Sequence, residues 1–238
     1  MSREIQNDFS ILEGFLSHYN LCHLLEDKKF NVFVSKQHKK YYSYLTFIAE
    51  IQKYVDSVDY RNKLSPIQFS FLKESCSDVG ISFFSAIHGS YKSSKMLLRS
   101  SIETFLKGYF LDLIPDLEKE SSMYKFFRKI KACLFCSVEP QKSIIDVIHG
   151  EYKLLCECVH TATTLNMSNL SALNYFPSFN ENEAKKVSDF SLPLISNYLT
   201  LLCLKYNEQF HAFHYKNKKI VINSIPKQYR QIINNIAE

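Results

Sequence analysis

The chain has no tryptophan, and its 238 residues include only 5 glycines and 6 prolines. So few turn-formers exclude an all-β sandwich or barrel, which needs a turn about every 8–12 residues. Without tryptophan, the 19 phenylalanines and 15 tyrosines must supply the bulk of any core. Long hydrophobic runs are missing too. The best candidate for a membrane span, Phe190–Leu204, holds Pro193 and Asn197 and falls short of the roughly 20 residues a spanning helix needs. The sequence also has no Gly-rich phosphate loop, no Gly-x-Ser-x-Gly elbow and no His-Glu-x-x-His pair. Their absence speaks against a P-loop enzyme, an α/β-hydrolase and a zincin.

What is present reads as a folded chain: 46% of residues are hydrophobic and 22% charged, too apolar for a disordered protein. The net charge is +5. The basic residues are scattered, with concentrations at Lys36-Lys39-Lys40 and Lys216-Lys218-Lys219. Such groups touch phosphate in some proteins and are plain solvated side chains in more. The 7 cysteines are an odd number, and Met1–Asp8 carries acids and amides where an export signal needs apolar residues. The expectation is a cytoplasmic protein with free, mostly buried thiols.

Apolar spacing of three and four residues runs almost throughout. Ile5, Phe9, Leu12, Leu16 and Tyr19 predict a helix reaching about Glu26. Phe30–Val34 alternates and reads as briefly extended. A second helix from Ser35 puts Tyr41, Tyr44, Leu45, Ile48, Ile51, Val55 and Val58 on its core face. Ser65-Pro66 is a capping hydroxyl followed by proline at the first helical position. That helix should run to Ile87 and break at His88-Gly89-Ser90. Further helices are expected over Tyr91–Ile114, from Asp116 to near Phe135, and from Pro140 through Val159. Residues 161–180 contain no charge and read as a long ordered loop. Asn180 or Asn182 should cap a last long helix reaching His214, with a kink or break at Pro193, and Pro226 should start a short terminal one. The expected architecture is a single all-α domain of about seven helices.

Two segments carry chemistry. In Leu97–Leu106, Arg99 and Glu103 stand four residues apart inside the apolar arc set by Leu98, Ile102 and Phe105. A guanidinium and a carboxylate at that spacing pair directly, and partial burial would demand it. In His149–His160, the imidazoles of His149 and His160 and the thiol of Cys156 fall within about 40° on a helix, with Tyr152 and Lys153 alongside. Arg99, Glu103 and His160 are therefore the candidate catalytic set, with Tyr152, Lys153 and His149 as candidate binding residues. An arginine to hold an anion and a histidine to move a proton would suit ribonuclease-like chemistry. A buried polar network between two helices would look the same. Cys133-x-x-Cys136 and Cys156-x-Cys158 do not read as zinc ligands, because the second pair diverges by about 160° on a helix. His211-x-x-His214 suits a helix C-terminus better than a metal. No metal or cofactor is expected.

The Arg99-x-x-x-Glu103 helix with Gly89 and Tyr91 before it, and the run Tyr152-x-x-Leu155-x-x-x-Val159-His160, resemble a family of all-helical bacterial proteins. These are described as HEPN-like and encoded with mobile elements or antiviral-defence genes. The resemblance covers about Pro66 to Phe210, including the loop and long helix that follow. It implies an all-α core over residues 65–214 with residues 1–62 packed on it as a helical pair, a cytoplasmic location and a part in phage defence. Catalytic members carry arginine and histidine on one helix four to six residues apart, and neither Arg99 nor His160 has such a partner. The leading expectation is an accessory or effector protein of a defence or toxin–antitoxin-like system. It would act through a protein encoded nearby, with no membrane contact and with a homo-oligomer open. A metal-independent ribonuclease using Arg99, Glu103 and His160, and an RNA-binding helical module, stay open beside it.

Overall fold

The computed structural model describes residues 2–19, 21–55, 64–159 and 176–235. Among the described residues there are eleven α-helices and no strand, only an isolated bridge between Val55 and Leu64. The expected all-α class is observed, with more and shorter helices than seven.

The extra helices arise where the chain breaks without proline or glycine. The first helix, α1 (Arg3–His18), ends at Tyr19, and a single turn, α2 (Cys22–Leu25), follows it. Instead of an extended Phe30–Val34, α3 (Lys28–Ile51) runs straight through that segment. Two features explain the difference. Asp27 caps the helix, its carboxylate accepting from the N–H groups of Lys29 (2.7 Å) and Phe30 (3.3 Å). In addition, Phe30, Phe33, Val34, Tyr44 and Phe47 are all buried and fall at helical spacing.

The hairpin α4 (Pro66–Ile87) and α5 (Tyr91–Phe110) begins with the expected cap. Ser65 and Gln68 form a reciprocal capping box with Pro66 in the first turn. The turn between the two helices needs Gly89, whose φ is +88° and whose absent side chain leaves room for Ser178; a Cβ there would stand 2.5 Å from the Ser178 carbonyl oxygen.

After a single 3-10 turn at Pro115–Leu117, α6 spans Met123–Ala132 and starts at the Ser122 cap, later than Asp116. Next comes α7 (Gln141–Val159). The long helix α8 (Glu181–Lys205) is capped by Asn180, as expected, and carries Pro193 without ending there. It stops at Tyr206, where φ −107° and ψ 46° leave the helical region. The remainder is α9 (Asn207–Ala212), α10 (Tyr215–Ser224) and α11 (Lys227–Asn235).

At the centre lies α8, packed on α3, α5 and α7. It alone among the described residues is long and apolar enough to cross a membrane by length and composition, and 67% of its apolar window is buried inside the structure. Tyr198 on α8 stacks on Phe105 of α5 at 3.8 Å and 12°, and Tyr44 of α3 packs beside it at 5.8 Å. These aromatic side chains replace tryptophan in the core, each contributing about 1.5–3 kcal/mol by burial. Their hydroxyls stay bonded: Tyr44 to the Ser75 Oγ (3.2 Å), Tyr198 with the Ser101 Oγ (3.2 Å), and Tyr109 to the Leu201 carbonyl (3.0 Å).

Candidate functional site

The two chemistry-bearing segments lie on α5 and α7, which pack against each other, with Leu98, Ile102, Ile148, Tyr152 and Leu155 all buried. This packing brings Tyr152 onto the Arg99–Glu103 pair. The Tyr152 hydroxyl donates to Glu103 Oε1 (3.0 Å) and accepts from Arg99 Nη2 (3.2 Å) and Nε (3.4 Å). Arg99 Nη2 also reaches Glu103 Oε1 directly at 3.2 Å. The guanidinium lies 5.5 Å from the centre of the Tyr152 ring. The hydroxyl therefore uses its one hydrogen and its lone pairs within the cluster.

The electrostatics follow from this geometry. The Tyr152 hydroxyl, then the nearby Cys156 and Glu103, raise the Arg99 pKa against a desolvation cost. Burial holds the Tyr152 phenol well above its ordinary range, with Arg99 opposing. Arg99 and Glu103 keep 34% and 32% of their side chains exposed. The cluster is thus a clasp at the edge of the α5–α7 contact rather than a sealed network.

The other predicted residues go elsewhere. His149 stacks on Phe127 of α6 at 4.1 Å and 21°. Burial, then Lys131 and Lys153, lower its pKa. Phe127 also touches the Tyr152 ring at 5.3 Å, so His149 and Tyr152 share a packing partner. Lys153 is exposed. His160, Val58 and residues 161–175 lie outside the described residues. Among the described residues no group of three or more potential metal ligands occurs. All seven cysteines are free, and burial pushes the Cys76 and Cys136 thiols up to about 12.

Half of the lysines in the two basic concentrations have partners within the fold, while Lys36, Lys216 and Lys219 are exposed. Lys40 is not part of an exposed patch: its ammonium donates to Ser196 Oγ and to the Ser224 carbonyl, both at 2.6 Å, and burial brings its pKa down to about 8. Lys216 pairs with Glu4 at 3.1 Å, and Lys218 donates to the His211 carbonyl at 3.1 Å.

A second feature was not singled out in the sequence. Both α1 and α4 pack on α3, and between them lies an open groove of about 480 Å³, within the ~300–1,000 Å³ range of binding sites. At one end Phe15 and Tyr19 of α1 close on Phe84 of α4 at 5.6 and 5.3 Å, with His88 5.8 Å from Tyr19. Ile11, Leu45 and Ile81 line the groove and are exposed, Ile11 at 72%. The structure corrects two sequence assignments here: Tyr19 and Leu45, read as core positions, are substantially exposed on this rim. The signal available in the sequence was the width of the α1 stripe, where Ile11 and Phe15 extend beyond the face that Ile5, Phe9, Leu12 and Leu16 already fill.

One hydrogen-bonded polar pair faces the groove. His38, its side chain 4% exposed, holds the 39%-exposed Asp8 at 2.7 Å through Nε2, and Tyr42 and Phe9 pack on the imidazole at 5.9 and 5.3 Å.

No protein-family model, curated protein or solved structure matches this chain.

Proposed function

We infer that this chain is an accessory or effector protein that works through contact with another protein, in the cytoplasm, as part of a bacterial antiviral-defence or toxin–antitoxin-like system. The observation that carries the contact reading is the open apolar groove between α1 and α4. Large exposed side chains gathered on one face of a folded protein mark an interaction site, and Ile11, Phe15, Tyr19, Leu45 and Ile81 are gathered on this one. The defence setting rests on the resemblance to HEPN-like proteins. Its two motif segments are in direct contact through Arg99, Glu103 and Tyr152.

The ribonuclease reading ranks behind. Arg99 and Glu103 are engaged with each other and with Tyr152, and the histidine that reading requires, His160, is outside the described residues. An RNA-binding module ranks lower again, since Lys40, Lys216 and Lys218 have internal partners.

The test is affinity purification of the tagged chain from its own host at native expression level. The expected result is a stoichiometric complex with the product of a neighbouring gene. Recovery as a lone monomer, under conditions where the neighbouring product is present and folded, would overturn the reading. Expression toxicity abolished by Arg99→Ala in a stably folded variant would instead favour the ribonuclease.

A further inference from the structure

We propose that the α1–α4 groove receives an amphipathic helix of the partner protein, with large apolar side chains on its inner face and a lysine or arginine that meets Asp8. This deepens the protein-contact reading and rests on it.

A helix is the occupant that the groove's lack of free backbone groups favours. All three bounding elements are α-helices, whose mid-helix N–H and C=O groups bond within their own helix. The walls present aliphatic and aromatic side chains, and no sheet edge is available. An extended segment lying here would find no free backbone partners in the walls and only the scattered hydroxyls of Tyr19, Tyr41 and Tyr42 for its own N–H and C=O groups. A helix satisfies its own backbone and needs only side-chain contacts from the groove.

The shape suits that occupant. Ile11, Phe15 and Tyr19 follow one another at intervals of four along α1, so they form one ridge of the helix surface. Ile81 and Phe84 stand opposite on α4. Tyr41 of α3 lies between them over Gly80, whose missing side chain lets the phenol settle onto α4.

The charge selects the partner. Among the described residues no lysine or arginine lines the groove, and Asp8 is its one carboxylate. The neighbouring His38 reaches one Asp8 oxygen at 2.7 Å through Nε2, and Asp8 still keeps 39% of its side chain exposed. A cationic side chain beside the apolar face of the incoming helix would complement Asp8, and an acidic one would be repelled.

The experiment is selection from a displayed library of amphipathic helices with randomised faces, read by anisotropy of the selected peptides against the wild-type chain and the Ile11→Asp, Ile81→Asp and Asp8→Asn variants. Ile11 and Ile81 are exposed enough for aspartate to be tolerated, and an unchanged circular dichroism melt confirms folding. The expected result is helices with an apolar face and an enriched lysine or arginine. Ile81→Asp should weaken them by about tenfold or more. Replacing the basic residue with glutamate should cost about tenfold against wild type and much less against Asp8→Asn.

Selected peptides indifferent to Ile11→Asp and Ile81→Asp, or an empty selection from a folded protein, would overturn the proposal. So would an apolar dye that binds the groove when no helix does, which would make it a small-molecule site. The same variants in the native purification separate the two readings. If the neighbouring product still co-purifies with Ile81→Asp, the groove proposal falls and the contact function stands. If helices are selected but no partner ever co-purifies, the contact function falls alone.

Discussion

The hydroxyl of Tyr41 rests so close to Gly80 that a Cβ added to the glycine would stand 2.7 Å from the phenol oxygen and 2.9 Å from the ring carbon that bears it. A contact that short has to be relieved by movement, and the movable part is the tyrosine side chain. Tyr41 lines the groove, so relief carries the ring into the space a partner helix would occupy.

Gly80→Ala should therefore be mild in stability and marked in binding. Alanine gains about 0.5–1 kcal/mol over glycine inside a helix, and overpacking costs about 1–3 kcal/mol, so urea denaturation should show a net loss between about 0 and 2.5 kcal/mol. Binding of the selected helix should fall well beyond what that loss explains. Equal binding by wild type and variant would mean that Tyr41 relaxes away from the groove.

At the other site, Tyr152→Phe removes only the hydroxyl that Arg99 and Glu103 share. Their direct contact at 3.2 Å survives, so the expected cost in urea unfolding is about 0.5–1.5 kcal/mol. The sharper measurement is a double-mutant cycle with Arg99→Met. Residues in one hydrogen-bonded cluster couple by about 0.5 kcal/mol or more, and strict additivity would show that the clasp contributes nothing to joining α5 and α7.

Ser65→Ala should destabilise the protein by about 1 kcal/mol, because it removes one half of the capping box at the start of α4. Gln68 is buried, and its amide also reaches the Gly108 carbonyl of α5 at 3.5 Å, so Gln68→Ala should cost more than Ser65→Ala. The two denaturation midpoints, compared at a common slope, decide it.

That cap was readable from Ser65-Pro66 because its partners are local. So were the Gly89 turn, the Asn180 cap and the apolar faces of α4, α5 and α7, each set by residues within a few positions. The breaks at Tyr19 and Tyr206 were hidden because neither involves a proline or glycine and both depend on packing elsewhere in the fold. Phe30–Val34 failed for a related reason: five residues of alternation fit a strand as well as the first turns of α3 until the Asp27 cap is counted. Arg99 with Glu103 was legible at helical spacing, and Tyr152 stood out within its segment, but their meeting depends on how α5 and α7 align. The groove was least visible. The wide α1 stripe marks Ile11 and Phe15 as surplus to the buried face, but nothing local to Leu45 shows that the neighbouring helix leaves a gap rather than filling it.

Glu151 lies on α7 beside Tyr152 and gives a prediction in pH. One of its carboxylate oxygens is buried without a hydrogen-bond partner among the described residues, and burial pushes its pKa from 4.5 up to about 7. Between those two values the unfolded chain has released a proton that the folded chain keeps, so folding stability falls as pH rises from 4.5 to about 7 and then levels off. The charged form carries the cost, and glutamine imitates the protonated one. Glu151→Gln should match wild type near pH 4 and exceed it at pH 8 by up to about 3 kcal/mol. The stability difference should grow across the window in between. Several other carboxylates, such as Glu50 and Glu183, are shifted downward by their lysine partners and contribute the opposite slope, so the difference between the two proteins is the quantity to measure. A difference that stays constant from pH 4 to pH 8 would show that Glu151 is solvated or paired in solution, and that α7 carries no uncompensated charge against its neighbours.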